Sequence, residues 1–368
     1  MECFIHIGTE KTATTTIQEF LHLNSEKLIQ QGVFFARSVG VKNHTNLAVA
    51  AYDVTRRDAF TLDASSVENF ICMQNKIITD LDREISNIKK KIPNVKVVFS
   101  SEHIQSRLTT VNEVDRLKRI LNDLGFSKIT IIVYLRSQTE LAPSLFSTTL
   151  KCGYRMEEPP SPDQEYFNNV CNHKETIERF SDVFGDDNMN IRLFNKTEFV
   201  NGDIIEDFSA AINIKKYNDF NFPKNKNESL SSFAVKLICS INKLNADDIP
   251  NLQLIEYISI NCKGDKFLMD SSLYELYEDA FSLGNEWVRK KYFPNKSTLF
   301  PLVKVRQNSA NSFCQEDIDQ VSNLLYSLWN DNNASKAVLQ RYEKSFLFKV
   351  YRVLLSSKRI INSLRNKV

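Results

Sequence analysis

The 368-residue sequence is poor in glycine and proline, with nine of each. That leaves too little flexible or punctuating material for long linkers. Charge of one sign is also missing: 47 Lys and Arg stand against 45 Asp and Glu, a formal charge of +2. A surface that coats nucleic acid needs a basic excess, so no nucleic-acid partner is expected and any anion site must be built locally. The seven cysteines (Cys3, Cys72, Cys152, Cys171, Cys239, Cys262, Cys314) are odd in number and form no CxxC pair. Neither a zinc site nor a disulfide framework follows, and the expectation is scattered thiols in a reducing compartment with no metal centre. No run approaches the roughly 20 apolar residues that span a bilayer. The opening MECFIHIGTEKT lacks the basic-then-apolar order of a secretion signal. A cytoplasmic protein is expected.

What is present suits a globular α/β chain. The residues are 42% hydrophobic and 25% charged, enough for a substantial core. Cys3–Ile7 is a short apolar run fit for a buried strand, and from Thr14 the residues Ile17, Phe20, Leu21, Leu28 and Ile29 mark a helical face with a break near Asn24. Val33–Phe35, Val95–Phe99, Ile129–Leu135 and Met189–Phe194 read as further strands. Helical stretches over Val67–Lys91, Asn112–Leu124, the segment after Arg136 and the one ending at Phe184 alternate with them. This alternation predicts a mostly parallel sheet with helices on both faces. From about Asn201 helical patterns dominate, at Ile204–Ile212, Ser231–Leu244 and Leu273–Lys291. The expected organisation is an α/β core over 1–215, a helical part over 216–345 and a basic amphipathic helix over 346–368.

Ligands of open parallel sheets sit beyond the carboxyl ends of the strands. Three of those ends carry polar residues here. After the first strand comes Gly8-Thr9-Glu10-Lys11-Thr12-Ala13-Thr14-Thr15-Thr16, where loop and helix N–H groups can converge on a phosphate and Lys11 adds a point charge. The plainer alternative is a polar turn with a threonine N-cap. A magnesium-dependent phosphate loop needs G-x-x-x-x-G-K-[ST], and Gly8 to Lys11 is only G-x-x-K. After the Ile129–Leu135 strand, Arg136 offers a bidentate fork and Ser144, eight residues on, a hydroxyl. In isolation they are a surface arginine and an incidental helix serine. After Val95–Phe99 comes Ser100-Ser101-Glu102-His103, a carboxylate and an imidazole that can serve as general base, or a helix N-cap cluster.

The segment FIHIGTEKTATTTIQEFL resembles the 5′-phosphosulfate loop of sulfotransferases that use 3′-phosphoadenosine-5′-phosphosulfate (PAPS), the bacterial ones especially. Their pattern is a strand, G-x-x-K-[ST]-G-T-T, and a helix. The resemblance implies a three-layer, P-loop-like sulfotransferase fold, with PAPS as co-substrate, 3′,5′-adenosine bisphosphate as product and no metal. Carried over by position, Gly8, Thr9, Lys11, Thr12, Ala13, Thr14 and Thr15 line the 5′-phosphosulfate, with Lys11 on its bridging oxygen. Ala13 departs from the family's glycine and is strained if that residue needs φ > 0. Arg136 and Ser144 match the 3′-phosphate site, and Glu102, with His103 as the second candidate, matches the place of the base.

Weaker resemblance continues downstream, where Asn227 and Ser229 sit in a polar joint and Arg289, Lys290 and Lys291 offer a late basic contact or a helix end. The resemblance implies a hydroxyl or amine acceptor, with a carbohydrate or glycolipid as the family's suggestion. The 346–368 stretch suggests either peripheral contact with an anionic membrane or a terminal helix docked on its own core. Two other classes fit parts of the pattern: an ATP-dependent kinase, and a catalytically silent nucleotide-binding scaffold of the same fold.

Overall fold

Five apolar runs pair as neighbouring parallel strands in this computed structural model, which describes residues 1–214, 220–223, 229–244, 251–301 and 315–344. They are β1 (Glu2–Gly8), β2 (Val33–Phe35), β3 (Lys96–Ser100), β4 (Lys128–Leu135) and β5 (Met189–Leu193), in the order β2-β3-β1-β4-β5. Every pairing is parallel. Because side chains alternate along a strand, the two faces take different residues. Cys3, Ile5, Ile7, Val97, Phe99, Ile131 and Val133 enter one hydrophobic layer, while Phe4, Val98, Ile132 and Tyr134 enter the other. Both faces are covered, which is why these runs read as continuous rather than alternating hydrophobics.

The helices follow in chain order. The first four are α1 (Thr14–Leu23), α2 (Ser25–Gln30), α3 (Thr45–Ala51) and α4 (Val67–Lys91). Next come α5 (Glu102–Arg107), α6 (Val111–Asp123), α7 (Gln138–Lys151), α8 (Glu165–Cys171) and α9 (His173–Phe184). The last five are α10 (Ile204–Ala211), α11 (Ser232–Leu244), α12 (Leu252–Asn261), α13 (Ser271–Tyr292) and α14 (Gln315–Lys344). Ile17, Phe20 and Leu21 of α1 and Ile205 and Phe208 of α10 close one face of the sheet. Leu47, Leu81, Leu117 and Phe180, from α3, α4, α6 and α9, close the other. The result is the expected mostly parallel sheet between helical layers, with helices dominating the C-terminal part.

The chain order decides where a ligand can sit. From β1 the chain runs to the edge, forms β2, returns in β3 beside β1, and then places β4 on the opposite side of β1. The carboxyl end of β1 is therefore the point where the winding reverses, the place where open α/β sheets hold their ligands.

The structure divides into two compact units. The first holds Met1–Phe146, Glu158–Glu228 and Leu268–Gln307, and so contains the whole sheet. The second holds Ser147–Glu157, Ser229–Phe267 and Asn308–Val368. Within the second, Leu237, Ile238, Ile241, Leu254, Ile255 and Ile258 are buried. Asn242 Nδ2 donates to the carbonyls of Leu150 and Tyr154, both at 3.0 Å, tying α11 to the end of α7. Among the described residues no helix is long and apolar enough to cross a membrane. The basic 346–368 stretch and Asn227 lie outside the described residues.

Candidate active site

The loop after β1 is held in place by its own threonines. Thr9 donates to the Tyr134 carbonyl of β4 from both its N–H (3.1 Å) and its hydroxyl (3.0 Å), and Thr12 Oγ1 donates to the Thr9 carbonyl at 2.6 Å. The hydroxyl hydrogens of Thr9 and Thr12 are thus turned to backbone carbonyls, of β4 and of the loop itself. Ala13 stands at the N-cap of α1 with φ +59°, left-handed, and no side chain caps the helix. The threonine N-cap considered from sequence is not formed. The first-turn N–H groups, from Thr14, Thr15 and Thr16, therefore project from a helix end whose dipole favours an anion. Lys11, half-buried, is also left-handed at φ +62°.

Gly8 shows why this loop needs a residue without a Cβ. Its φ is +106°, and a Cβ would lie 3.1 Å from Glu102 Cα and 3.2 Å from both Glu10 N and Glu102 Cβ. The close approach brings the β1 and β3 ends together. Gln18 Nε2, from buried Gln18 of α1, donates to Glu102 Oε2 at 2.8 Å and fixes the carboxylate above the loop. Ser101 caps α5, its hydroxyl accepting from the His103 N–H at 3.3 Å. The N-cap reading of this segment and the placement of Glu102 beside Gly8 hold at once. His103 packs its ring on Phe60, with centroids 4.7 Å apart.

Arg136 joins the second strand end to the first. Its Nη1 donates to the Lys11 carbonyl at 3.0 Å, its Nε reaches Glu140 Oε2 at 3.2 Å, and its guanidinium lies 5.5 Å from the Phe194 ring centroid. From below, buried His173 donates from Nε2 to the Arg136 carbonyl at 2.7 Å. Burial holds the His173 imidazole down, to a pKa of about 4, although that bond pulls the other way. Ser144 is half-buried on α7, which carries Glu140 in its first turn. Lys11, Arg136 and Glu102 therefore occupy one edge of the sheet. Gly8 links Glu102 to the loop, and Arg136 links the loop to β4.

Beside Arg136 lies a cavity of 490 Å³ lined by Ser137, Glu140, Phe194, Asn195 and the 295–301 segment, including Lys296, Thr298 and Phe300. The sequence reading missed this lining. Nothing in residues 295–301 says which strand end they will reach. Lys296 pairs with Glu198 at 2.5 Å on the cavity wall. The basic trio of α13 is placed differently. Arg289 is taken by Glu286 and by the Lys296 carbonyl at 2.7 Å, so it braces the cavity segment from behind. Lys291 pairs at 2.7 Å with Asp186, just ahead of β5 and thus at the amino ends of the strands, whereas Arg136 lies at their carboxyl ends. Among the described residues, no group of three or more His, Cys, Asp or Glu is arranged to hold a metal ion.

No family model matches the chain, and no curated protein matches it. Among solved structures it is similar to a sulfotransferase from Alicyclobacillus acidocaldarius, at 15% identity and a TM-score of 0.38, over 75% of this chain and 99% of that one.

Proposed function

We propose that this protein is a sulfotransferase that moves the sulfuryl group of PAPS to a hydroxyl acceptor. The observation that supports the reading is the 3.0 Å bond from Arg136 to the Lys11 carbonyl, which joins the two strand ends to which anion binding is assigned in this reading. A nucleotide with a phosphate-borne group at each end needs two such grips. The residues fit that group: α1 lacks a side-chain cap, Gly8 leaves no room for a Cβ, and the 490 Å³ cavity falls in the roughly 300–1,000 Å³ range of small-molecule sites.

In this reading the first turn of α1 and Lys11 hold the 5′-phosphosulfate, and Arg136 and Ser144 the 3′-phosphate. The cavity beside Phe194 takes the nucleoside. Holding both ends fixes the sulfur relative to the acceptor, and positioning of this kind supplies much of the rate. Glu102 accepts the proton of the acceptor hydroxyl as that oxygen bonds to sulfur. The bond from sulfur to the 5′-phosphate oxygen breaks, and its electron pair stays on that oxygen. Lys11 neutralises the charge so formed, and 3′,5′-adenosine bisphosphate leaves. Gln18 acts through Glu102, aiming its carboxylate.

Calorimetry tests the donor assignment. Binding of 3′,5′-adenosine bisphosphate without metal is expected, and Arg136→Ala should weaken it more than tenfold, since a truncated charge-assisted pair costs about 2–5 kcal/mol. ATP binding only with magnesium would replace the reading with a kinase, and binding of neither would replace it with a scaffold. Transfer of labelled sulfate from PAPS to an acceptor panel then separates an active enzyme from a silent binder.

A further inference from the structure

In the sheet β3, β1 and β4 lie side by side, and one short helix touches the segment that follows each of them. That helix, α8, has seven residues, too few to be stable through its own hydrogen bonds. Its Phe167, Val170 and Cys171 are buried, so packing within the first unit holds it. A helix leaves its last four carbonyls without intrahelical partners, and side-chain amides take two of them here. Gln105 Nε2, from α5 after β3, donates to the Asn169 carbonyl at 2.9 Å. Gln138 Nε2, from α7 after β4, donates to the Cys171 carbonyl at 3.1 Å. Two residues on, His173 bonds the Arg136 carbonyl. At the other end of α8, Tyr166 Oη donates to Glu10 Oε2 at 2.6 Å, in the loop after β1. The Arg107 guanidinium of α5 lies 5.6 Å from the Tyr166 ring centroid and steadies that ring.

The Tyr166 contact falls where the loop is strained. Lys11 stands at φ +62°, a conformation that disfavours any residue with a Cβ. Such a residue persists only where its surroundings fix it. On one side the Lys11 carbonyl accepts from Arg136. On the other, Glu10 is buried, and Tyr166 supplies the one hydrogen bond that its carboxylate accepts among the described residues. A buried carboxylate that loses its donor must shift toward water, and Lys11 is the next residue along. We propose that Tyr166 is a positioning residue: through Glu10 its hydroxyl holds Lys11 in the left-handed conformation and so sets the lysine for the 5′ end of the nucleotide. The inference rests on the sulfotransferase reading for what Lys11 meets, and on the contacts of Glu10 and Lys11 alone for what holds the loop.

Tyr166→Phe tests it, since it removes the hydroxyl and keeps the ring; Glu10→Ala removes the other partner. Amide hydrogen exchange of the ligand-free full chain is read by mass spectrometry. It should quicken about tenfold or more over residues 8–16 in both variants, while β3 and β4 exchange as in the parent. By calorimetry both variants should bind 3′,5′-adenosine bisphosphate about five- to tenfold more weakly. Adenosine 3′-phosphate offers Lys11 nothing, and its affinity should stay within about twofold of the parent's. Added to Lys11→Ala, Tyr166→Phe should weaken the bisphosphate by no more than about a further twofold, because the hydroxyl acts through the lysine. Parent-like loop exchange in both variants, exchange that quickens across the strands as well, equal loss of the two nucleotides, or full additivity with Lys11→Ala overturns the proposal. If the parent binds neither nucleotide, the donor assignment falls instead, and loop exchange alone decides what Tyr166 holds.

Discussion

At the scale of single residues, the loop after β1 is shaped by backbone conformations that most side chains avoid. Gly8 sits at φ +106°, Lys11 at +62° and Ala13 at +59°. Glycine is at home there; alanine and lysine are not. A left-handed L-residue costs about 1–2 kcal/mol, of which glycine's greater freedom in the unfolded chain returns roughly 0.5–1. Ala13→Gly should therefore stabilise the protein by about 0.5–1 kcal/mol and raise its melting temperature by roughly 1–3 °C, as read by circular dichroism. A lower melting temperature would mean that the methyl group contributes more than the strain removes. Lys11→Ala leaves the strained φ in place and removes the ammonium together with its stem. In the proposed reaction that charge matters when the leaving oxygen becomes an anion. Turnover should fall about 10²-fold or more while acceptor KM changes little, the pattern of an interaction made in the transition state. Unchanged turnover would remove Lys11 from the reaction.

At the scale of elements, α7 carries a competitor for the anion that the proposed function assigns to Arg136. Glu140 lies one turn beyond Arg136 and holds its Nε at 3.2 Å, and it also lines the adjoining cavity. The pair is partly exposed, so it is worth only about 0.2–1 kcal/mol. Glu140→Gln takes a negative charge away from the proposed 3′-phosphate site. Its affinity for 3′,5′-adenosine bisphosphate, by calorimetry, should rise about two- to fivefold, the reverse of the loss expected for Arg136→Ala. Weaker binding would show that Glu140 orients the guanidinium rather than competing for it. Much of this element layout was legible beforehand. The span Val67–Lys91 was bounded correctly because Ser66 caps it, accepting from the Asn69 N–H, and Pro93 follows its end. The strand ends that carry Lys11, Glu102 and Arg136 were legible because a buried strand must stop where charge begins. The short helices α3 and α8 were not read, and α5 only as an N-cap alternative, since six or seven residues give too little period to see and their stability comes from packing. Nor could the cavity lining from 295–301 be read. Its place depends on α13 turning the chain back past β5, and on the Arg289 bond to the Lys296 carbonyl.

At the scale of the whole molecule, the first unit buries three histidines whose protonation it does not accommodate. His6 on β1 shares a 2.8 Å hydrogen bond with Ser100 and packs edge-on against Tyr134 and Phe208. His44 stacks on Phe35 at 4.4 Å and accepts from the Ser100 N–H at 3.2 Å. His173 holds the Arg136 carbonyl. Burial lowers the pKa of His6 and His44 to about 3 and that of His173 to about 4. An unfolded histidine titrates near 6.5, so between about pH 4 and 6.5 the unfolded chain binds protons that the native one refuses. Stability then rises with pH through that window; it is complete above about pH 6.5 and is lost as the pH falls. At pH 5 each histidine withdraws about 2 kcal/mol and the three together about 6, a large part of the stability of any domain. The carboxylates that the structure depresses, such as Asp207 among its bonds to Arg192, Tyr134 and Val200, act in a lower window, below about pH 4. The two effects are therefore separable. The urea midpoint should drop steeply between pH 7 and pH 5, and His44→Gln should lower it at pH 7 while flattening that drop by about one proton. Equal midpoints of the parent protein at the two pH values would mean that the imidazoles gain partners on protonation. The sheet edge that carries Arg136 would then be insulated from acid rather than coupled to it through His173.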